Sequence, residues 1–115
     1  MVSPGPASIV VIPFPFSDLS GTKLRPAVVL ANAGRGDWLL CQITSNPYSD
    51  PESIRITASE LQKGALTSSV SFARPIKLFT ASQDVMSKRI AILKDATFKA
   101  ILLATIEVLQ KNVPN

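Results

Sequence analysis

Residues 25–44 read RPAVVLANAGRGDWLLCQIT. Two apolar runs rich in β-branched and large aliphatic residues flank NAGRGD, a segment of turn formers with two glycines. That pattern predicts two antiparallel strands, 25–31 and 37–44, joined by a tight turn. Pro26 has no N–H for a ladder bond and biases the residue before it toward extended backbone, so Arg25 and Pro26 begin the first of these strands. Antiparallel neighbours run in opposite directions, so the start of one strand and the end of the next share a sheet edge. Arg25 and Thr44 are thereby expected close together.

Upstream, SIVVIPF (8–14) reads as a further strand, and Pro13 and Pro15 then force the chain out of regular pairing. Phe14 and Phe16 alternate with these prolines and are expected on one side. Residues 17–24, SDLSGTKL, carry loop chemistry and join this strand to the next. A meander results.

Downstream, SNPYSDPES (45–53) is the longest evident loop, SIRIT (53–57) a short strand, and ASELQKGAL (58–66) a single helical turn ended by Gly64. The run 68–81, SSVSFARPIKLFTA, predicts a long strand with a bend or bulge at Arg74-Pro75. RIAIL (89–93) is a short apolar run. The segment 95–113 predicts a helix: Phe98, Ile101, Leu102, Thr105, Val108 and Leu109 recur at three-to-four spacing, Asp95 is placed to cap it, and Lys111 suits its C-terminal dipole end. Short strands followed by a terminal helix, without βαβ alternation, predict a mainly β fold, a small bent antiparallel barrel with a helix at its side.

The 115-residue chain is long enough for one core and is read as one domain, 1–115. Its net charge of +4 comes from scattered Lys and Arg and favours an acidic or polyanionic partner. It contains no His, which removes imidazole acid–base catalysis, Ser-His-Asp machinery and the common zinc sites together. Cys41 is the only cysteine, so no intrachain disulfide forms; within WLLCQI it reads as a small buried hydrophobe. The start lacks a basic signal-peptide region and no stretch approaches a membrane span, so a cytoplasmic protein without a membrane partner is expected.

Phosphate-loop, CxxC, HExxH and nucleophile-elbow patterns are absent from the sequence. The polar groups left at strand ends and in loops are Arg25, Thr44, Ser45, Ser71, Arg74, Asp18 and Lys23. An arginine fork beside hydroxyl donors suits a phosphate. Each group also has an ordinary reading: a solvated strand-end charge for Arg25 or Arg74, a turn opening for Thr44-Ser45, a loop cap for Asp18, and core packing for Trp38.

GTKLRPAVVLAN (21–32), LLCQITS (39–45) and SSVSFARPIKLFT (68–80), with the strand SIVVIPFPF and the terminal helix, resemble the MazF/PemK family of toxin endoribonucleases. The resemblance implies an SH3-like antiparallel barrel with a C-terminal helix, usually a homodimer, held in check by an acidic antitoxin. It implies cleavage of single-stranded RNA without a metal or other cofactor, by attack of the RNA's own 2'-hydroxyl. Arg25 and Thr44 then fall on the family's catalytic pair, and Ser45 on a position credited with RNA contact. Asp18, Lys23, Ser71 and Arg74 complete the expected RNA-binding set, and the loops 17–24 and 46–53 are expected to read bases. Two positions depart from the family pattern: Gly21, Thr22 and Lys23 stand where many relatives have an acidic residue, and Ala73 stands near another acidic place. The general base is left without an assignment, which keeps a non-catalytic binding module open as the alternative.

Overall fold

The computed structural model describes residues 4–15, 21–47 and 49–115, with the side chain of Pro15 excluded. Seven strands and one helix account for most of it: β1 (Ser8–Pro15), β2 (Thr22–Gly34), β3 (Asp37–Thr44), β4 (Ile54–Ile56), β5 (Leu61–Gly64), β6 (Ser71–Ser82), β7 (Lys88–Leu93) and α1 (Asp95–Gln110). They form one antiparallel sheet in the order β4-β6-β3-β2-β1-β7-β5.

The predicted meander is its centre. β2 turns into β3 through Gly34, Arg35 and Gly36, all at positive φ, with the Asn32 side-chain oxygen accepting the Gly34 N–H at 2.7 Å. β2 begins at Thr22, three residues earlier than predicted, because Lys23, Leu24 and Arg25 pair with Phe14, Pro13 and Ile12 of β1. Tertiary pairing overrides the loop composition there.

One interior is shared by both ends of the sheet. Ile9, Val28, Cys41, Ile43, Ala73 and Leu93 pack with Ile56 near one edge and Ile101 of the helix, and Leu61 of the opposite edge strand packs on the same group. A sheet whose two edges reach a common core is curled, here into a nearly closed barrel with α1 against β6 and β4. The other face of β1–β3 buries Val10, Ile12, Ala27, Val29 and Leu40 beneath Phe14, Trp38 and Phe79. The uninterrupted AVVL run follows from burial on both sides. Trp38 packs on this second core, and its indole N–H donates to Gln83 at 3.3 Å.

Between Gln42↔Arg74 and Cys41↔Leu78 the register slips, β6 advancing four residues while β3 advances one. This is the expected irregularity at Arg74-Pro75. It inverts the side-chain phase: Ala73 faces the barrel interior, yet Phe79, an even number of residues later, packs on the opposite core. One strand can therefore serve two cores.

Residues 58–66 do not form the predicted helical turn. Ala58–Glu60 are a short 3-10 turn and Leu61–Gly64 pair with β7. The Glu60 carboxylate accepts the Thr57 N–H and hydroxyl, both at 2.7 Å, and the Ser59 hydroxyl at 2.7 Å, and these bonds hold it down to about 2. At Gly64, φ is +85° and a Cβ would stand 2.1 Å from the Ile90 carbonyl oxygen. Gly64→Ala should therefore lose at least about 2 kcal/mol in urea unfolding, from left-handed strain plus the backbone clash. A loss below about 0.5 kcal/mol would show that the close approach is dispensable.

The helix starts one residue differently from expectation: Lys94 is its N-cap without a side-chain cap bond, and Asp95 is the first helical residue. Ile101 and Thr105 are buried, Phe98 and Leu102 pack on the core, and Leu109 is exposed rather than inward. No helix among the described residues is long and apolar enough to cross a membrane. Cys41 is buried, and desolvation pushes its thiol up to about 12, as its place in an apolar run suggested.

Candidate RNA-binding cleft

The β2–β3 ladder ends with Ala27 opposite Gln42, two residues short of Arg25 on β2 and of Thr44 on β3. Both line a cleft of about 690 Å³ at this end of the barrel. Val11 and Pro26, partners across β1 and β2, and Ile43 of β3 contribute apolar surface to it. Lys23, Ser45 and Ser71 are also in its lining, so five of the seven polar residues singled out from sequence converge on one cavity.

Arg25 is half-buried and forms no ion pair with any described residue. A guanidinium held by a strand at the wall of a cleft can donate several hydrogen bonds to an anion without first breaking an ion pair to a described residue. Thr44 is engaged locally: its Oγ1 donates to the Asn46 carbonyl at 3.0 Å and accepts the Asn46 N–H at 3.1 Å. Its proton can be redirected from that carbonyl to a phosphate oxygen, a like-for-like exchange of acceptors. Ser45 is exposed beside it, whereas Ser71 is almost fully buried in the cleft wall.

Arg74 is not in the lining. Its Nε donates to Asp50 Oδ2 at 3.1 Å, with side-chain exposures of 12 % and 1 % respectively. Asp50 also accepts the Glu52 N–H at 2.9 Å, while its backbone accepts from Ser53 and donates to Pro47. Instead of reaching into the cleft, Arg74 ties the 45–53 loop, which leaves β3 just after Thr44, to β6. Sequence reading missed Asp50 because its partner is 24 residues away on a strand whose pairing is not a local property. Asp18, together with Phe16 and Ser17, lies outside the described residues.

Lys88, Thr67 and Ser68 also line the cleft and were not singled out from sequence. They come from β7 and the β5–β6 connection, and only the pairing of β7 with β1 and β5 brings them here. With Lys23 and Arg25, Lys88 makes three cations in the described lining, which contains no Asp or Glu. Hydroxyl groups and unpaired cations without a facing carboxylate suit a polyanion. Among the described residues no three His, Cys, Asp or Glu side chains are grouped to hold a metal ion.

The fold is similar to that of an endoribonuclease from a mycobacterial species solved in complex with its cognate antitoxin, at 15 % identity and a TM-score of 0.72, over 97 % of this chain and 100 % of that one. It is equally similar to the MazE-MazF structure from Deinococcus radiodurans, at 16 % identity and a TM-score of 0.72, over 93 % and 96 %. The toxin MazF-mt6 of Mycobacterium tuberculosis aligns at 12 % identity with a TM-score of 0.64, over 88 % and 96 %. No curated protein sequence matches the chain. A family model described as the PemK-like, MazF-like toxin of type II toxin-antitoxin systems matches residues 6–109. With that match spanning nearly the whole barrel and its helix, the chain belongs to the PemK-like, MazF-like family of type II toxins.

Proposed function

We propose that the chain is an endoribonuclease that cuts single-stranded RNA in the cleft between β2, β3 and β7, with Arg25 and Thr44 as its catalytic pair. The observation that carries the reading is the convergence of Arg25, without an ion pair among the described residues, and Thr44 in a cationic cleft whose described lining has no carboxylate. The family, whose members include toxins of this activity in the resemblance described above, supports it.

The 2'-oxygen of the substrate attacks the adjacent phosphorus, a P–O bond forms as the bond to the 5'-oxygen breaks, and a 2',3'-cyclic phosphate and a 5'-hydroxyl result. The nucleophile belongs to the RNA, so the protein needs neither a histidine nor a cysteine dyad. It needs donors aimed at the non-bridging oxygens, where negative charge grows in the phosphorane. Arg25 supplies that charge-assisted fork, Thr44 orients the scissile phosphate, and Ser45, Lys23 and Ser71 hold the strand. No described residue in the lining is placed as the base that takes the 2'-hydroxyl proton. Asp18 is the nearest carboxylate in sequence to the loop before Arg25.

The same cationic cleft suits an acidic antitoxin segment, and relatives of this fold have been solved with antitoxins. Leu103, Ile106 and Leu109 of α1, with Val113 just beyond it, leave apolar side chains exposed, surface that a second copy can cover in a homodimer. In the cell the reading is of a cytoplasmic toxin.

Purified protein incubated with a long single-stranded RNA in EDTA should release fragments bearing 5'-hydroxyl and cyclic phosphate ends. Binding without such ends would replace the enzyme with a non-catalytic binding module, a reading favoured only by the missing carboxylate.

A further inference from the structure

We infer that Lys88, with the hydroxyl groups of Thr67 and Ser68, forms a second phosphate subsite that holds the RNA one phosphate away from the bond that Arg25 and Thr44 cleave. This rests on the endoribonuclease reading and adds to it a wall of the cleft built from different strands.

The placement follows from sheet register. Lys88 faces Val11, and Val11 faces Pro26, so Lys88 and the residue beside Arg25 occupy one row across three strands. Neighbouring strands are about 4.8 Å apart, which sets the two backbone positions roughly 10 Å from each other across β1. Two cations at that separation, converging on one cleft, are too far apart at their origins to form a single bidentate clamp and suit two successive anions. Lys88 is exposed and forms no ion pair with any described residue, so its ammonium is available.

The hydroxyl wall is held in place rather than merely nearby. Gly64 lets the chain pass so close to β7 that a Cβ would collide with the Ile90 carbonyl, and the Ala65 N–H then donates to that same carbonyl at 3.2 Å. Residues 67 and 68 follow directly and line the cleft with Lys88. Each hydroxyl can donate to a phosphate oxygen while Lys88 supplies the charge. A repeating anion such as an RNA backbone matches this two-site arrangement better than an isolated carboxylate does.

The test separates this proposal from the cleavage reading by using an uncleavable probe. Fluorescence anisotropy with a mixed-sequence 2'-O-methyl RNA, whose nucleophile is blocked, measures binding across a salt series. Lys88→Gln should weaken binding about threefold or more near physiological salt and make the log–log salt slope shallower by about 0.7, the increment for one phosphate contact on a single strand. Lys88→Arg should restore both. On cleavable RNA, Lys88→Gln should raise KM by a similar factor with kcat within about twofold, because a contact made equally in ground and transition states changes binding alone. Unchanged affinity and slope in Lys88→Gln would overturn the subsite, as would a fall in kcat without a change in KM. Intact binding effects with no cleavage by the unaltered protein would leave the subsite standing and remove the enzyme reading. A variant that keeps RNA affinity but loses affinity for an acidic peptide would assign Lys88 to a protein partner instead and overturn the proposal.

Discussion

Arg25→Ala should lower kcat/KM for RNA cleavage by roughly a hundredfold or more, the usual loss when one preorganised donor is removed from a site that stabilises a developing oxyanion. That corresponds to about 2.7 kcal/mol of transition-state stabilisation. The fold should survive, because Arg25 is half-exposed and its removal strands no ion-pair partner among the described residues. Melting temperature therefore serves as the control. Arg25→Lys should recover only part of the rate, since an ammonium keeps the charge but not the planar fork that can engage two phosphate oxygens. Cleavage by Arg25→Ala within about threefold of the unaltered protein would remove Arg25 from the catalytic role.

Asp50→Ala should have its largest effect on stability. The Asp50 carboxylate is 1 % exposed, and its removal leaves the Arg74 guanidinium, itself only 12 % exposed, without its carboxylate. Breaking such a pair costs about 3 kcal/mol, because the remaining charge is still held away from water. The Glu52 N–H also loses its acceptor. Urea unfolding should show a lower midpoint at unchanged slope. Asp50→Asn retains an acceptor and should cost less. Arg74→Met combined with Asp50→Ala should restore part of the loss, because the guanidinium that lost the Asp50 carboxylate is removed with it. A double variant no more stable than Asp50→Ala, or a single variant losing under about 1 kcal/mol, would show that the pair is not what holds the 45–53 loop to β6.

Much of this site was legible because it is local. The turn chemistry of NAGRGD and the two apolar runs around it dictate a hairpin, and a hairpin of that length brings the residue before Pro26 to the end of β3. Arg25, Thr44, Ser45, Lys23 and Ser71 could thus be named before any coordinates and do share one cleft. Arg74 had the same local signature as Arg25, an arginine before a proline and an apolar run, yet it pairs with Asp50. Nothing within a few residues distinguishes the two. Their difference lies in which neighbour each strand acquires: Arg25 stands at the rim beside β3, whereas Arg74 lies beneath a loop carrying a buried carboxylate.

Elsewhere, local propensity was overruled. ASELQKGAL has helix formers and a terminal glycine, but β7 offered an unpaired edge, and Leu61–Gly64 took its hydrogen bonds there. Leu109 falls on the helical spacing yet points to solvent, because the core that α1 covers reaches only as far as Thr105.

By itself the sequence determined the central meander, the terminal helix and the placing of Arg25 and Thr44 at one end of that meander, all consequences of periodicity and turn chemistry over twenty residues or fewer. Tertiary structure alone decided the far wall of the cleft, the Asp50–Arg74 tie and the phase inversion of β6. Those depend on strands from opposite ends of the sheet meeting round one core, and closure is a property of the whole hydrogen-bonded surface that no short window of residues contains.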